Sequence, residues 1–237
     1  MSIQGKIYAV SLGPGDPELI TLKGWKALQQ ADKIYYPASL QADAVRSYSL
    51  SILEHYALPD KILQPVVLEM SHNREHNLKA YTKAFEEIRT DVENGLQVAF
   101  VSEGDISFYS TFIYILEQIR AHQLPLEIIA GVPSFLLATA AHQQPLALLQ
   151  EKIAIIPLLK SREVLEDHLQ KFETIVLIKV RGALEYIAPL IAANKAVMLY
   201  GEKLGTPTQY LSTDISSLET RELPYFSLII LKSNICA

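Results

Sequence analysis

The sequence predicts an α/β protein with two domains, the first built on a mostly parallel sheet and the second on a mixed sheet. Short β-branched or aromatic runs alternate with longer segments of helical periodicity up to His142, which is typical of βα units. The pattern restarts after Pro145, and the last strands are joined by Gly, Pro and Ser turns without long helices. A chain of 237 residues is long enough for two modest domains, which we assign to residues 1–146 and 147–237.

In the N-terminal domain, strands and helices alternate in the order that βα units require. The predicted strands are residues 6–12, 33–36, 65–68, 97–102 and 126–129. The predicted helices are residues 22–30, 43–55, 73–94, 107–122 and 134–142. The third of these helices carries charges of both signs at helical spacing, which indicates a solvated face.

In the C-terminal domain, strands outnumber helices and lie close together along the chain. The predicted strands are residues 152–157, 174–180, 196–201, 208–212 and 225–231. The predicted helices are residues 162–171 and 184–193. The short turns between the last strands favour antiparallel neighbours, so we expect a mixed sheet.

Composition and charge exclude several classes of protein. A chain with 49% hydrophobic and 20% charged residues is neither disordered nor of low complexity, and a net charge of -5 argues against binding to nucleic acid or to an anionic membrane surface. The N-terminus does not have the pattern of a signal peptide, and the apolar stretch 128–141 is too short and interrupted for a membrane helix. With Cys236 as its one cysteine, the chain forms no internal disulfide, and we expect a cytoplasmic protein.

The first candidate for chemistry is the glycine-rich turn over residues 13–19, directly after the first strand. Its glycines allow a tight turn and a close approach to a ligand. It is not a Walker A loop, because no Gly-Lys-Ser/Thr follows, and it is not a dinucleotide fingerprint, because Glu18 stands where a third glycine would be. A purely structural alternative is that Asp16 caps the next helix and Pro17 takes its first position, and this turn alone slightly favours that alternative.

Two further glycine turns follow two other strands. Residues 102–111 contain a Ser-Glu-Gly-Asp segment in which Asp105 either accepts hydrogen bonds from a ligand or caps a helix. Residues 130–134 form the third turn, Ala-Gly-Val-Pro-Ser. Because open α/β folds bind ligands at the carboxyl edge of the sheet, we expect the three turns to converge on one crevice.

Metal ligands and nucleophiles are not evident in the sequence. His72 and His76 are four residues apart, but no third ligand accompanies them, so we assign no metal site and no catalytic residue. Cationic side chains that could hold a carboxylate are Arg46, Lys179 and Arg181. Lys179 interrupts an apolar strand, and its alternative role is an ion pair with an acid such as Glu202.

The three turns together resemble the tetrapyrrole methylase family of S-adenosylmethionine-dependent enzymes. The similarity is carried by residues 13–24, 102–105 and 130–134, and it runs over nearly the full chain in the same order and spacing. Within the family, four further segments are similar to the precorrin-2 C20-methyltransferases: residues 35–38, 65–71, 103–111 and 177–180.

The resemblance implies a two-domain fold, usually a homodimer, that binds the methyl donor in the cleft between its domains. Matched position by position, it implies that S-adenosylmethionine is contacted by Pro14, Glu103, Gly104, Asp105, Phe108, Pro133, Ser134 and Val180. It also makes Arg46, Lys179 and Arg181 the expected anchors for the carboxylates of a small-molecule tetrapyrrole. One departure is that Ile106 stands where the relatives usually have proline.

The expected reaction is methyl transfer to C20 of precorrin-2 or of its cobalt complex, in cobalamin biosynthesis. Direct displacement at a sulfonium needs positioning rather than a nucleophilic side chain, in agreement with the sequence. The alternatives are methylation of another ring carbon and a non-catalytic protein that retains the fold, for which Ile106 is the one hint. A nicotinamide oxidoreductase is disfavoured, because the third glycine and a ribose-binding acid are both missing.

Overall fold

The computed structural model describes residues 5–41, 44–56, 58, 61–69 and 74–235. The chain divides into two compact units, Met1–Pro133 and Ser134–Ala237, and each has its own sheet and helices, as predicted. The helix predicted over residues 134–142 groups with the second unit, whereas the sequence placed it in the first domain. The limits 1–146 and 147–237 therefore stay a prediction. The described residues do not include Met70, Ser71, His72, Cys236 or the side chain of His76.

The described part of the first unit contains a six-stranded sheet. Its strands are β1 (Lys6–Ser11), β2 (Lys33–Gln41), β3 (Ala44–Arg46), β4 (Ile62–Glu69), β5 (Gln97–Ser102) and β6 (Leu126–Ile129). β4 runs parallel to β2 along one edge, and β5 and the antiparallel β3 share the other edge. β1 lies between β5 and β6, parallel to both. The carboxyl ends of β1, β5 and β6 are therefore neighbours.

Helices cover both faces of this sheet. They are α1 (Leu22–Gln30), α2 (Tyr48–Leu53), α3 (Arg74–Glu93) and α4 (Ile113–Ala121). Successive side chains of β1 point to opposite faces, so Ile7 and Ala9 pack in the core beneath α3 and α4, whereas Val10 and Leu12 pack with α1 and α2. Burial on both faces explains why these strands are almost continuously apolar.

The second unit has the mixed sheet that the sequence predicted. Its described strands are β7 (Ile153–Ile156), β8 (Thr174–Ile178), β9 (Ala196–Glu202), β10 (Tyr210–Ser212) and β11 (Ser227–Ser233), in the order β10-β9-β11-β8-β7. β7 and β8 are parallel, and the other pairs are antiparallel. The helices are α5 (Ser134–Ala141), α6 (Arg162–Leu169) and α7 (Leu184–Ala192). Across the described ranges, no helix has the length and apolarity to cross a bilayer.

The helix predicted over residues 43–55 is wrong in its first part. The chain there forms the short strand β3 before α2 begins. Ser47 has extended backbone angles, and its hydroxyl accepts a hydrogen bond from the Leu50 N–H at 3.0 Å, so it caps α2 and fixes the start of the helix. β2 also continues past Pro37 to Gln41, which gives β3 a partner.

The helix predicted over residues 107–122 starts later than expected, at Ile113. Residues 105–112 form turns instead. Asp105 accepts a hydrogen bond from the Ser107 N–H at 2.8 Å, and Tyr109 has a left-handed backbone with φ of 51°. A left-handed residue interrupts a right-handed helix, so the helix begins only beyond it.

Candidate functional site

The turns after β1 and β5 are joined directly through their glycines. Gly13 donates a backbone hydrogen bond to the Gly104 carbonyl at 3.2 Å, and the Gly104 N–H donates to the Gly13 carbonyl at 2.7 Å. Both glycines have positive φ, 81° and 65° respectively, which few other residues adopt without strain. The expected convergence of the first two turns is confirmed.

The acid of the first turn has a structural role. Asp16 accepts a hydrogen bond from the Glu18 N–H at 2.9 Å, and Pro17 is the first residue of the 3-10 helix Pro17–Leu19. The capping interpretation of Asp16 is therefore confirmed. Pro14, which precedes this cap, is buried.

Asp105 ties the second turn to the third. Its Oδ1 accepts hydrogen bonds from the backbone N–H and the hydroxyl of Ser107, and its Oδ2 accepts one from the Gly131 N–H at 2.7 Å. Burial acts to raise the pKa of Asp105, but these three hydrogen bonds outweigh it and hold the pKa below its usual value. The carboxylate is therefore ionised at neutral pH.

The third turn lies so close to the end of β1 and to the second turn that a side chain does not fit at Gly131. A Cβ atom at this position would overlap Ser11 Cβ and would lie 2.8 Å from the Gly104 carbonyl oxygen. At Gly104, in contrast, an added Cβ meets nothing within 4 Å. The third turn is thus packed at Gly131 against the end of β1 and against the second turn, while the space beside Gly104 is open.

Glu103 lies beside the start of α2. Its Oε1 accepts a hydrogen bond from the Ser49 hydroxyl at 2.7 Å. Burial raises the pKa of the Glu103 carboxyl above its usual value, and the hydrogen bond from Ser49 opposes this only in part. Glu103 therefore keeps its proton to a higher pH than an ordinary glutamate does.

Glu103→Gln is expected to stabilise the protein at neutral pH. An acid with a raised pKa in the folded state costs stability once the unfolded chain ionises, from about pH 4.3 upward. Glutamine stays neutral and still reaches Ser49. We expect the free energy of unfolding of Glu103→Gln in urea to exceed that of the parent chain at pH 7 and to equal it near pH 4.

A matched substitution gives the opposite trend. Glu166 pairs with Arg162 and Lys195, and hydrogen bonds from these side chains lower its pKa. Glu166→Gln should therefore lose stability relative to the parent chain as pH rises from 4 to 7. Equal pH profiles for the two variants would contradict the raised pKa of Glu103.

Two other predicted residues of the first unit are Phe108, in the second turn, and Arg46, at the end of β3. The Phe108 ring packs edge-on against Tyr109, with 4.7 Å between centroids. Tyr109 combines a left-handed backbone with a half-exposed ring. Arg46 is exposed at the end of β3, three residues before the Ser49 that binds Glu103.

In the second unit, the predicted residues lie after β8 and at the start of α5. Ser134 is the first residue of α5, and Pro133 precedes it as the last residue of the first unit. Lys179 is exposed and has a left-handed backbone with φ of 58°. Arg181 is exposed as well, whereas the side chain of Val180 is buried in the core of the unit. Any ligand contact by Val180 would therefore use its backbone.

Glu202 does not pair with Lys179 as the alternative suggested. Its carboxylate accepts hydrogen bonds from Arg221 Nη2 at 2.6 Å and Nε at 3.0 Å, and from the Tyr200 hydroxyl at 2.5 Å. The Arg221 guanidinium also lies 3.9 Å from the centroid of the Tyr210 ring. Sequence reasoning missed this cluster, because its members come from separate strands and a loop.

Comparison with known proteins agrees with this arrangement of turns. The sequence model of one protein family, the tetrapyrrole (corrin/porphyrin) methylases, matches residues 6–219, which include all three turns. The chain belongs to this family.

Within the described residues, no group of three or more His, Cys, Asp or Glu side chains is arranged to hold a metal ion.

Individual relatives match along most of the chain. A cobalt-precorrin-2 C(20)-methyltransferase of Salmonella typhimurium is 31% identical over 96% of both chains. A precorrin-2 C(20)-methyltransferase of Sinorhizobium is 28% identical over 95% of this chain and 94% of its own. Both alignments therefore cover nearly all of this chain and nearly all of each relative.

Solved structures have the same fold. A cobalt precorrin-4 methyltransferase superimposes with a TM-score of 0.69 at 22% identity, covering 96% of this chain and 94% of its own. A uroporphyrin-III C-methyltransferase from Thermus thermophilus, complexed with S-adenosylhomocysteine, gives 0.66 at 20% identity, covering 96% and 97%. The two-unit fold of this chain is therefore the tetrapyrrole methylase fold.

Proposed function

We propose that this protein transfers a methyl group from S-adenosylmethionine to C20 of precorrin-2 or cobalt-precorrin-2 in cobalamin biosynthesis. The observation that carries the proposal is the joining of three glycine turns at the carboxyl ends of β1, β5 and β6 in a member of this family. The relatives that act at C20 match the chain over nearly its whole length, which supports this ring position.

The chemistry of the turns fits a methyl donor of this kind. The donor supplies a methyl group on a positively charged sulfur and also carries an ammonium group. The ionised Asp105 adds negative charge beside the open backbone at Gly104, which favours a cation there. Glu103, with its raised pKa, is suited to donate a hydrogen bond while protonated.

The donor would be held largely by backbone and by short side chains. Its proposed contacts are Pro14, Glu103, Gly104, Asp105, Phe108, Pro133, Ser134 and Val180. Since both oxygens of Asp105 already accept hydrogen bonds from the chain, Asp105 acts mainly by its charge and by holding the Gly131 turn. The chain contributes position and exclusion of water, and the displacement needs no side-chain nucleophile.

The tetrapyrrole would be held by cations, because it carries several carboxylates. Lys179 and Arg181 are exposed, and the pair between Arg181 and Glu222 is long, at 3.5 Å, with both side chains in solvent. Such a pair is weak and leaves the guanidinium available. With Arg46, these residues form the proposed substrate anchors.

We also propose that the protein is cytoplasmic and forms a homodimer. Light scattering tests the homodimer, because it measures the molar mass in solution.

The test is an anaerobic incubation with S-adenosylmethionine, labelled in its methyl group, and either metal-free or cobalt-loaded precorrin-2. We expect mass spectrometry to show one added methyl group and NMR to locate it at C20. The form of precorrin-2 that is methylated faster is then assigned as the physiological substrate. A methyl at another carbon would overturn the ring position. Tight donor binding without transfer would favour the non-catalytic alternative.

Lys179→Met tests the substrate anchor in the same assay. Loss of one charge-assisted hydrogen bond should raise the KM for the tetrapyrrole roughly tenfold and leave the KM for the donor unchanged. Lys171→Met is the matched control, because Lys171 pairs with Asp167 on the exposed side of α6. An unchanged tetrapyrrole KM in Lys179→Met would remove this residue from the anchors.

A further inference from the structure

A serine hydroxyl lies fully buried at the end of β1, where the three turns meet. Ser11 has no exposed surface. Its Oγ donates a hydrogen bond to the Ile129 carbonyl at 2.7 Å and accepts one from the Ile106 N–H at 2.8 Å. One hydroxyl thus connects β1 with the turn after β5 and with the last residue of β6.

This connection runs beside the one made by Asp105. Asp105 accepts a hydrogen bond from the Gly131 N–H in the third turn. Ser11 donates one to the carbonyl of Ile129, the last residue of β6 before that turn. Ser11 Cβ is also the atom that leaves no room for a side chain at Gly131. Ser11 therefore sets the spacing of the second and third turns both by hydrogen bonding and by contact.

The hydrogen bond from the Ile106 N–H to Ser11 is possible because this chain has isoleucine where the relatives usually have proline. Isoleucine has a backbone N–H to donate to Ser11, and proline has none. The Ile106 side chain is buried in the core beneath α3 and α4. In this chain, a hydrogen bond to a buried hydroxyl thus holds the turn at a position where a proline ring would restrict the backbone directly.

We propose that Ser11 is a positioning residue that sets the affinity for the methyl donor by fixing the turn at residues 104–106 against the turn at residues 130–134. The inference rests on the proposed function, because it assumes that these turns bind the donor. Because Ser11 is fully buried, it acts through these turns and not by contact with the donor. Its effect is confined to the donor, since the proposed anchors for the tetrapyrrole lie on other segments.

Ser11→Ala removes both hydrogen bonds without adding volume. We expect S-adenosylhomocysteine, titrated by calorimetry, to bind roughly five- to tenfold more weakly, as for the loss of one or two buried hydrogen bonds. The KM for the tetrapyrrole and kcat at saturating donor should stay unchanged. A role in stability alone would lower the melting temperature and leave donor affinity intact.

Thr174→Val is the matched control. Thr174 is also fully buried, and its hydroxyl donates to the Leu146 carbonyl at 2.9 Å in the second unit. Lys232 Nζ also donates to this carbonyl, so the substitution leaves it bonded. We expect Thr174→Val to lower the melting temperature without changing donor affinity.

Ile106→Pro removes the hydrogen bond to Ser11 from its other side, and the proline ring restricts the turn in its place. We expect Ile106→Pro to bind the donor about as well as the parent chain, and Ser11→Ala to have a smaller effect in that background, because one of the two bonds is already gone. If Ser11→Ala alone does not fold, the double variant is compared with Ile106→Pro and should bind the donor more weakly, because it also loses the bond to Ile129. Wild-type donor affinity in Ser11→Ala, equal affinity of the double variant and Ile106→Pro, or additive effects in the double variant would overturn the role of Ser11. Failure of the parent chain to bind S-adenosylhomocysteine would instead overturn the proposed function.

Discussion

Gly131→Ala is expected to abolish measurable donor binding and to lower the free energy of unfolding by about 2–3 kcal/mol. The added Cβ would overlap Ser11 Cβ and lie 2.8 Å from the Gly104 carbonyl oxygen. Neither neighbour can move freely, because Ser11 is held by two hydrogen bonds and Gly104 by its pairing with Gly13. The third turn must therefore shift, which breaks the hydrogen bond to Asp105.

Gly182→Ala is the control for Gly131→Ala. Gly182 has a φ of 82°, so alanine is strained there, but its Cβ would meet nothing within 4 Å. We expect a cost of about 1–2 kcal/mol from backbone strain alone. Urea unfolding and calorimetric titration with S-adenosylhomocysteine measure both variants. Wild-type donor affinity in Gly131→Ala would show that the close packing of the turns does not matter for binding.

Arg221→Ala is expected to destabilise the protein by about 3 kcal/mol, because it leaves a buried carboxylate unpaired. The Glu202 side chain is 3% exposed, and its remaining partner would be the Tyr200 hydroxyl. We place the cost at the low end for buried pairs because the Arg221 side chain is 37% exposed. The contact between the guanidinium and the Tyr210 ring is lost as well.

The effect of Arg221→Ala depends on pH in a defined direction. Burial acts to raise the pKa of Glu202, but hydrogen bonds from Arg221 and Tyr200 hold it below its usual value. The stabilisation that these bonds to Glu202 provide is therefore present at neutral pH. It is lost as the pH falls below about 4.3 and then through the lowered pKa of Glu202. Unfolding curves of the parent chain and Arg221→Ala should converge toward acid pH.

Two further variants test this interpretation. Arg162→Ala removes an exposed pair with Glu166 on α6 and should cost less than about 1 kcal/mol. Adding Glu202→Gln to Arg221→Ala should recover part of the lost stability, because no charge is then buried without a partner. Equal stability of Arg221→Ala and Arg162→Ala would contradict the importance of the buried pair.

Local patterns in the sequence were sufficient to predict the order of the elements apart from β3, most of their limits and the positions of the glycine turns. Apolar periodicity and turn residues are local signals, and they located β1, β5, β6 and α1 to within a residue or two. The same signals predicted a parallel sheet followed by a mixed one. The motifs at the strand ends pointed to the family because they occur in a fixed order and spacing.

The contacts of the individual side chains became known only from the folded structure. Asp105 bonds to Gly131, 26 residues away, and Ser11 to Ile129, 118 residues away, because the register of β1, β5 and β6 aligns their ends. The pairing of Glu202 with Arg221 depends in the same way on where a loop returns to β9. Such contacts join residues distant in the chain, and local periodicity contains no information about them.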